Sequence, residues 1–214
     1  MTQNAINNTA SILNVDNLQL DGNTMSATDV NGNVVIVPNG TGVVQIASLG
    51  NAANTQHIVI ESTGEVTMPL QPAFLATHSV AQTAVTGDGT MVTLDFTTVV
   101  FDRNSDYDGT NTFVASVSGI YRFNFNIYAS GVIAANTSGY MQLTTSNRNY
   151  QTNVYNYGAV TSATGVCIYG ACFLADMDAG DSASIVCTIS NNGAKNVSFP
   201  ASVTQTFFAG ELVC

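Results

Sequence analysis

Apolar and polar residues alternate with a period of two in many segments after Pro72, which is typical of β-strands that bury one face. In residues 121–127 (YRFNFNI), aromatic residues and Ile occupy every second position, and Arg or Asn occupies the positions between them. Strand signals at regular spacing predict strands at 91–96, 112–117, 119–128, 140–145, 165–174, 182–190 and 204–213. So many short strands in one domain-sized segment predict an all-β jelly-roll sandwich.

The pattern before Pro69 is different, because short Val- and Ile-rich runs alternate there with turns. Asp-Gly or Asn-Gly pairs at 21–22, 31–32 and 39–40 favour hairpins, since both members of such a pair tolerate positive φ. No aromatic residue precedes Phe74, so this segment lacks the side chains for a sufficient core of its own. We predict that residues 14–68 form a trimeric β-prism or intertwined β-stalk with other copies. A flexible Asn/Thr/Gly-rich tether is the alternative.

These two patterns divide the chain into four predicted parts. Residues 1–13 are an anchor or a flexible N-terminus, and residues 14–68 are the repetitive strand–turn stalk. Residues 69–72 are a linker that begins and ends with proline, and residues 73–214 are the jelly-roll head.

The composition supports the all-β prediction and excludes two classes of partner. Charged residues make up 8% of the 214 residues, so the polar surface comes from Asn, Thr, Ser, Gln and Gly, which suit turns and strands better than helices. The net charge is −10 with four cationic residues in all, so the chain lacks the basic surface that nucleic acids or anionic membranes require. No apolar run is long enough for a membrane span. No secretory signal is visible at the N-terminus, so we expect synthesis in a cytoplasm.

The head also contains a set of short motifs in a characteristic order. They are PAFLA at 72–76, FD at 101–102 followed by DYDGT at 106–110, TFVASVSGIYRF at 112–123, AGD at 179–181 and FFAGEL at 207–212. In these motifs the head resembles the globular head of complement component 1 subcomponent q and its tumour-necrosis-factor-like relatives. The resemblance implies a ten-stranded jelly roll that forms a homotrimer and binds ligands through exposed loops and edges. No Gly-X-Y period occurs before Pro72, so the stalk is not collagen.

A β-stalk that ends in such a head looks similar to the fibres and spikes of bacteriophages and other viruses. We therefore expect a homotrimeric viral, and specifically bacteriophage, fibre or spike on the virion surface, made in the host cytoplasm. Its N-terminus would contact other virion proteins, and its head would recognise a host-surface glycan or protein. The alternatives are a virion structural or decorating protein without receptor binding, and a bacterial secreted adhesin or cytokine-like binding module.

Motifs of catalysis are missing from the sequence, so we expect that the chain is not an enzyme and has no cofactor. There is no G-x-S-x-G elbow, no phosphate-binding glycine loop and no H-E-x-x-H, and the two histidines stand alone. The four cysteines have no metal-ligand spacing. Cys167 and Cys172 are five residues apart on one predicted strand and point to opposite faces, so we expect small buried thiols rather than a disulfide between them.

Two groups of residues are candidate binding sites. Asp102, Asp106 and Asp108 alternate with other polar residues in the manner of calcium ligands, although the glycine and glutamate of an EF-hand loop are not in register. A calcium site there competes with an Asx-rich turn between strands as the explanation. Candidate receptor contacts are the tyrosines of a predicted surface loop at 147–157: Tyr150, Tyr155 and Tyr157. The alternative is that these tyrosines cover the end of the sandwich or the subunit interface.

Overall fold

The structure is a computed structural model that describes residues 18–21, 24–27, 36, 44–47, 56–152 and 165–213. The chain divides into two compact units, one of residues 1–46 and 58–67 and the other of residues 47–57 and 68–214. All regular structure in the described ranges is β-strand, so the prediction of an all-β chain is confirmed. Those ranges contain no helix with the length and apolar character needed to cross a membrane.

Five short strands are described before Pro69. β1 and β2 are antiparallel with Asp21 opposite Thr24, so the two strands pair as the predicted hairpin requires. β3, β4 and β5 form a separate three-stranded sheet. Gly64, between β4 and β5, has a φ of +100°, a conformation that glycine adopts without steric cost. The bounds are β1 (Leu18–Asp21), β2 (Thr24–Ala27), β3 (Val44–Ala47), β4 (Gln56–Ile60) and β5 (Val66–Thr67).

The β-stalk, its association with other copies and the four domain boundaries stay predictions. The anchor at 1–13 lies outside the described residues, as does most of the Val- and Ile-rich run at 34–37.

The head contains twelve described strands. Their bounds are β6 (Ala73–His78), β7 (Gln82–Thr86), β8 (Met91–Thr93), β9 (Thr98–Arg103), β10 (Phe113–Val114), β11 (Gly119–Val132), β12 (Ser138–Thr145), β13 (Asn149–Thr152), β14 (Gly165–Met177), β15 (Ser182–Ser190), β16 (Val197–Phe199) and β17 (Ser202–Leu212).

These strands form the two antiparallel sheets of a jelly-roll-like sandwich. In the larger sheet β14, β11, β17, β6 and β9 lie side by side, and β16 and β7 continue it beside the last part of β11. In the smaller sheet β13, β12 and β15 lie in that order, with β8 and β10 both on the remaining edge of β15. The described strands number twelve instead of the ten that the resemblance implied, partly because two short strands share one edge of β15.

The strand predictions hold best where alternation is strong. The apolar face of β11 is buried as expected, with Tyr121, Phe123, Phe125 and Ile127 no more than 2% exposed. The unpredicted strands β7 and β9 have weak alternation, and β16 is only three residues long. The prediction of a surface loop from residue 147 was wrong for its first part, because β13 pairs there with β12. Strand preference depends strongly on packing against neighbouring strands, so the sequence of a short polar strand such as β13 does not by itself specify a strand.

Aromatic rings fill the space between the sheets and leave no room at Gly210. The ring centroid of Phe208 lies 4.9 Å from that of Phe74 and 5.8 Å from that of Phe123. A Cβ atom on Gly210 would lie 2.6 Å from a ring carbon of Phe123 and 2.7 Å from one of Phe74, distances that real Cβ contacts essentially never show. Glycine at this position is therefore what allows the two rings to close over β17.

The cysteines follow the sheet faces. Cys167, Cys172 and Cys187 are free thiols, and Cys167 and Cys172 lie on opposite faces of β14. The prediction of small buried thiols is confirmed for Cys187 and wrong for Cys172, which is exposed. Cys214 lies outside the described residues.

A candidate interaction face on the larger sheet

We term the side of the larger sheet that points away from the core the outward face. It consists of the outward side chains of β9, β6, β17, β11 and β14. Strand register arranges these side chains in rows across the sheet. One row contains Phe101, Leu75, Ala209, Asn124 and Cys172.

A groove of about 440 Å³ lies over β6, β9 and β17 on the outward face. Phe101 is 46% exposed and Val203 is 54% exposed, and both line the groove together with the half-buried Leu75 and Phe207. An exposed Phe beside other apolar side chains costs hydration free energy in the isolated chain. The groove is thus an apolar surface that no described residue of the head covers.

The opposite edge of the outward face carries an apolar stripe along β14. Burial alternates strictly along this strand, and its even-numbered residues face solvent. Val166, Ile168 and Leu174 are 52%, 51% and 58% exposed. The outward face therefore contains two separate apolar patches, the groove on one side and the β14 stripe on the other.

Charged groups are few on this face, and three of them lie in one row. The guanidinium of Arg122 lies 3.0 Å from the carboxylate of Glu211, across the β11–β17 pair. Both side chains are about half exposed, at 48% and 53%, so solvent screens the pair and it contributes roughly 0–1 kcal/mol. The same row continues to Arg103 on one side and to Leu174 on the other.

The predicted calcium ligands are close in sequence, but each already accepts hydrogen bonds from the protein. Asp102 accepts from the backbone N–H groups of Asp106 and Tyr107, both at 3.1 Å. Asp108 accepts from three backbone N–H groups of its own turn, at 2.7, 2.9 and 3.1 Å. This bonding is that of an Asx-rich turn.

Asp106 is the buried member of this trio. Its carboxylate accepts from the Ser116 hydroxyl at 3.1 Å and from the Asn104 amide at 3.4 Å. Burial raises the pKa of Asp106 above its ordinary value, and these two hydrogen bonds oppose the rise. For Asp108, burial raises the pKa, but the hydrogen bonds from its turn outweigh this and the pKa is lowered.

Over the described part of the chain, no three His, Cys, Asp or Glu side chains are arranged to hold a metal ion. The calcium site stays a prediction.

Tyr150 is the one predicted receptor contact that the structure describes. It lies on β13 opposite Leu143, and its ring centroid is 5.6 Å from that of Phe173 on β14. The side chain is half-buried and packs against the core, so it helps to close one open side of the sandwich. Tyr155 and Tyr157 lie outside the described residues.

Sequence reasoning missed the outward face, although one signal was present. Phe207 and Phe208 are consecutive, and consecutive strand residues point to opposite faces. An aromatic pair on one strand therefore indicates that both faces of the sheet are apolar there.

No protein-family model matches the chain, and no curated protein matches it. Among solved structures, the chain is similar to the globular domain of zebrafish complement 1qA protein, with 18% identity and a TM-score of 0.45. That comparison covers 67% of this chain and 98% of the other. It is also similar to murine APRIL, with 11% identity, a TM-score of 0.45, and coverage of 67% and 99% of the two chains. Likenesses at this level assign the chain to no family.

Proposed function

We propose that this chain forms a homotrimeric viral fibre or spike, of bacteriophage origin, whose head binds a glycan or protein on the host surface. The N-terminal part would be the stalk that joins the head to other virion proteins. The head would act by binding and not by catalysis. The observation that supports this proposal best is the pair of apolar patches on the outward face.

Apolar surface of this kind favours association with other copies. A contiguous exposed apolar surface is unusual on a monomeric soluble protein and marks a contact surface. The groove and the β14 stripe are different patches on one sheet, so a contact between the stripe of one copy and the groove of the next is head-to-tail. Head-to-tail contacts generate a closed ring when the rotation between copies closes. Three copies is the number that the resemblance implies.

The receptor-binding part of the proposal is supported by the composition of the polar surface. A low content of charge leaves an uncharged polar surface of Asn, Thr, Ser and Gln, which is compatible with neutral glycans or protein surfaces and not with nucleic acid. A decorating protein of the virion would have the same trimer without a host receptor.

The mass of the full chain in solution tests the trimer. Multi-angle light scattering should give three times the 22.3 kDa of the chain, and a monomer mass at micromolar concentration would contradict the proposal. Leu174→Asp, which places a charge in the β14 stripe, should shift the mass to that of a monomer. Met91→Asp is the matched control, because Met91 is 55% exposed but lies on the smaller sheet.

A host-adsorption assay separates receptor binding from a decorating role. Labelled full-length trimer should bind host cells, and an excess of unlabelled trimer should compete with it. If the trimer forms but neither binds cells nor competes with virus for adsorption, the decorating role is correct and the receptor-binding proposal is wrong.

A further inference from the structure

Arg103 is a cation of the outward face for which the described part of the chain provides no counter-ion. It ends β9 and lies in the row that continues through Ala73 to Glu211. Glu211 is already paired with Arg122, and this is the only ion pair among the described residues. Arg103 is exposed and lines a depression of about 240 Å³ beside Glu211. The row therefore contains two cations and one anion, and the positive charge of Arg103 is left over.

Asp176 is the corresponding anion at the opposite edge of the same face. It follows Leu174 by two residues on β14, and it faces outward with the β14 stripe because burial alternates along this strand. Asp176 is exposed, and its carboxylate has no hydrogen-bond or ion-pair partner among the described residues. Its backbone carbonyl accepts a hydrogen bond from the Asn147 amide at 3.1 Å, which holds the backbone at the end of β14. The stripe thus ends in a negative charge without a partner.

The groove and the β14 stripe lie at the same level along the strands. One row passes from Leu75 in the groove through Ala209 to Cys172 on β14. The next row passes from Glu211, which also lines the groove, to Leu174 in the stripe. The two patches are therefore separated across the strands and not along them.

This placement restricts how copies can form a closed ring. In such a ring, two patches that touch lie at the same height along the rotation axis, because a rotation changes no height along its own axis. The axis is therefore perpendicular to the separation between groove and stripe, either along the strands or along the normal to the sheet. An axis along the normal would point every outward face in the same direction, so no patch would meet another. The axis along the strands is left, and it brings residues of the same level together.

We propose that Arg103 of one copy pairs with Asp176 of the next copy, at the end of the contact between groove and stripe. This inference rests on the homotrimer proposed above and adds the alignment of its copies. Asp176 lies two residues beyond the row of Arg103, about 7 Å along a strand, and the long arginine side chain covers much of that distance. The depression beside Arg103 extends in the same direction, past the row to Leu212. The contact is thus complementary in charge as well as apolar.

Charge reversal in the full chain tests this pair. Arg103→Glu and Asp176→Arg each bring like charges together at every contact of the trimer, so each should raise the concentration at which half of the trimer dissociates by about tenfold or more. The double variant restores opposite charges and should return to within about threefold of the wild type. Sedimentation velocity with fluorescence detection over a dilution series measures this concentration for all variants.

Arg148→Glu is the matched control for the charge change. Arg148 is exposed between β12 and β13, which belong to the smaller sheet, so its reversal should leave the dissociation of the trimer unchanged. Arg103 and Asp176 are both exposed in the single chain, so neither reversal should change the urea midpoint of the dissociated chain by more than an ordinary surface substitution does.

The possible results separate this pair from the trimer itself. A wild type that is monomeric at micromolar concentration would contradict the trimer, and the pair with it. A trimeric wild type whose two single variants dissociate no more readily than Arg148→Glu would overturn the pair and leave the trimer in place. Single variants that weaken the trimer without recovery in the double variant would also overturn the pair, because the two residues would then act separately.

Discussion

The two faces of the larger sheet are built from the same strands and have opposite environments. The inner face contributes Phe74, Phe123 and Phe208 to a closed aromatic core. The outward face contributes Phe101 and Phe207 to an open groove. Both faces bear aromatic rings, so side-chain polarity alone does not separate core from surface in this head. The second sheet covers one face, and no described strand of the head covers the other.

We expect the inner face to determine the stability of the folded chain and the outward face to determine its association with other copies. Changes on the inner face should alter the free energy of unfolding. Equivalent changes on the outward face should alter the oligomeric state and leave the fold of each chain in place.

Thiol labelling should show the largest difference. Burial raises the pKa of the Cys187 thiol well above its ordinary value and removes it from reagent, whereas Cys172 on the outward face is exposed in the single chain. In Leu174→Asp, Cys172 should react on the order of a hundredfold or more faster than Cys187. In the wild type, association should protect Cys172. Peptide mapping by mass spectrometry measures both rates, and equal rates would contradict the separation of the two faces.

The neighbouring residues Phe207 and Phe208 offer the sharpest mutational comparison. Phe208→Ala removes a fully buried ring and should cost about 3–5 kcal/mol in unfolding free energy. Phe207→Ala removes a groove side chain and should change chain stability far less, while weakening self-association. Urea unfolding together with light scattering on both variants measures the two effects. Similar losses of stability in both would show that the outward face is part of the core.

Substitutions at two glycines compare the inner and outward faces in the same way, with smaller expected effects on the free energy of unfolding. Gly210→Ala forces a methyl group onto two aromatic rings at 2.6–2.7 Å and should cost about 1–3 kcal/mol. Gly170→Ala, on the outward face of β14, meets the side-chain oxygen of Asn126 at 3.0 Å and the backbone oxygen of Phe125 at 3.4 Å, so a shift of a few tenths of an ångström by one side chain accommodates the methyl group. Its effect on the denaturation midpoint should be within the range of ordinary surface changes, about 0.5 kcal/mol.

The ion pair of the outward face should have the smallest effect. A double-mutant cycle with Arg122→Gln and Glu211→Gln should give a coupling energy below about 1 kcal/mol in unfolding, because solvent screens both half-exposed groups. Added salt should reduce the coupling further. A coupling of several kcal/mol would mean that association buries this pair.

Part of the head was predictable from local pattern. β11 shows a period of two in its own sequence, and β14, β15 and β17 are long runs rich in apolar residues. The structure places each within a few residues of its predicted bounds. β7, β9, β13 and β16 were not predicted, since their pairing depends on neighbours that are distant in sequence. Of the candidate site residues, Asp102, Asp106 and Asp108 lie in a turn that satisfies their carboxylates internally, and Tyr150 packs against Phe173.

The sequence by itself determined which side of each strong strand faces the core, because alternation with a period of two is a local property of the backbone. It could not determine that the other sides of five strands form one face with an apolar groove on it. That surface depends on register, which places Phe101 of β9, Leu75 of β6 and Ala209 of β17 in one row. These residues are far apart in the chain, and only backbone hydrogen bonding between strands brings them together.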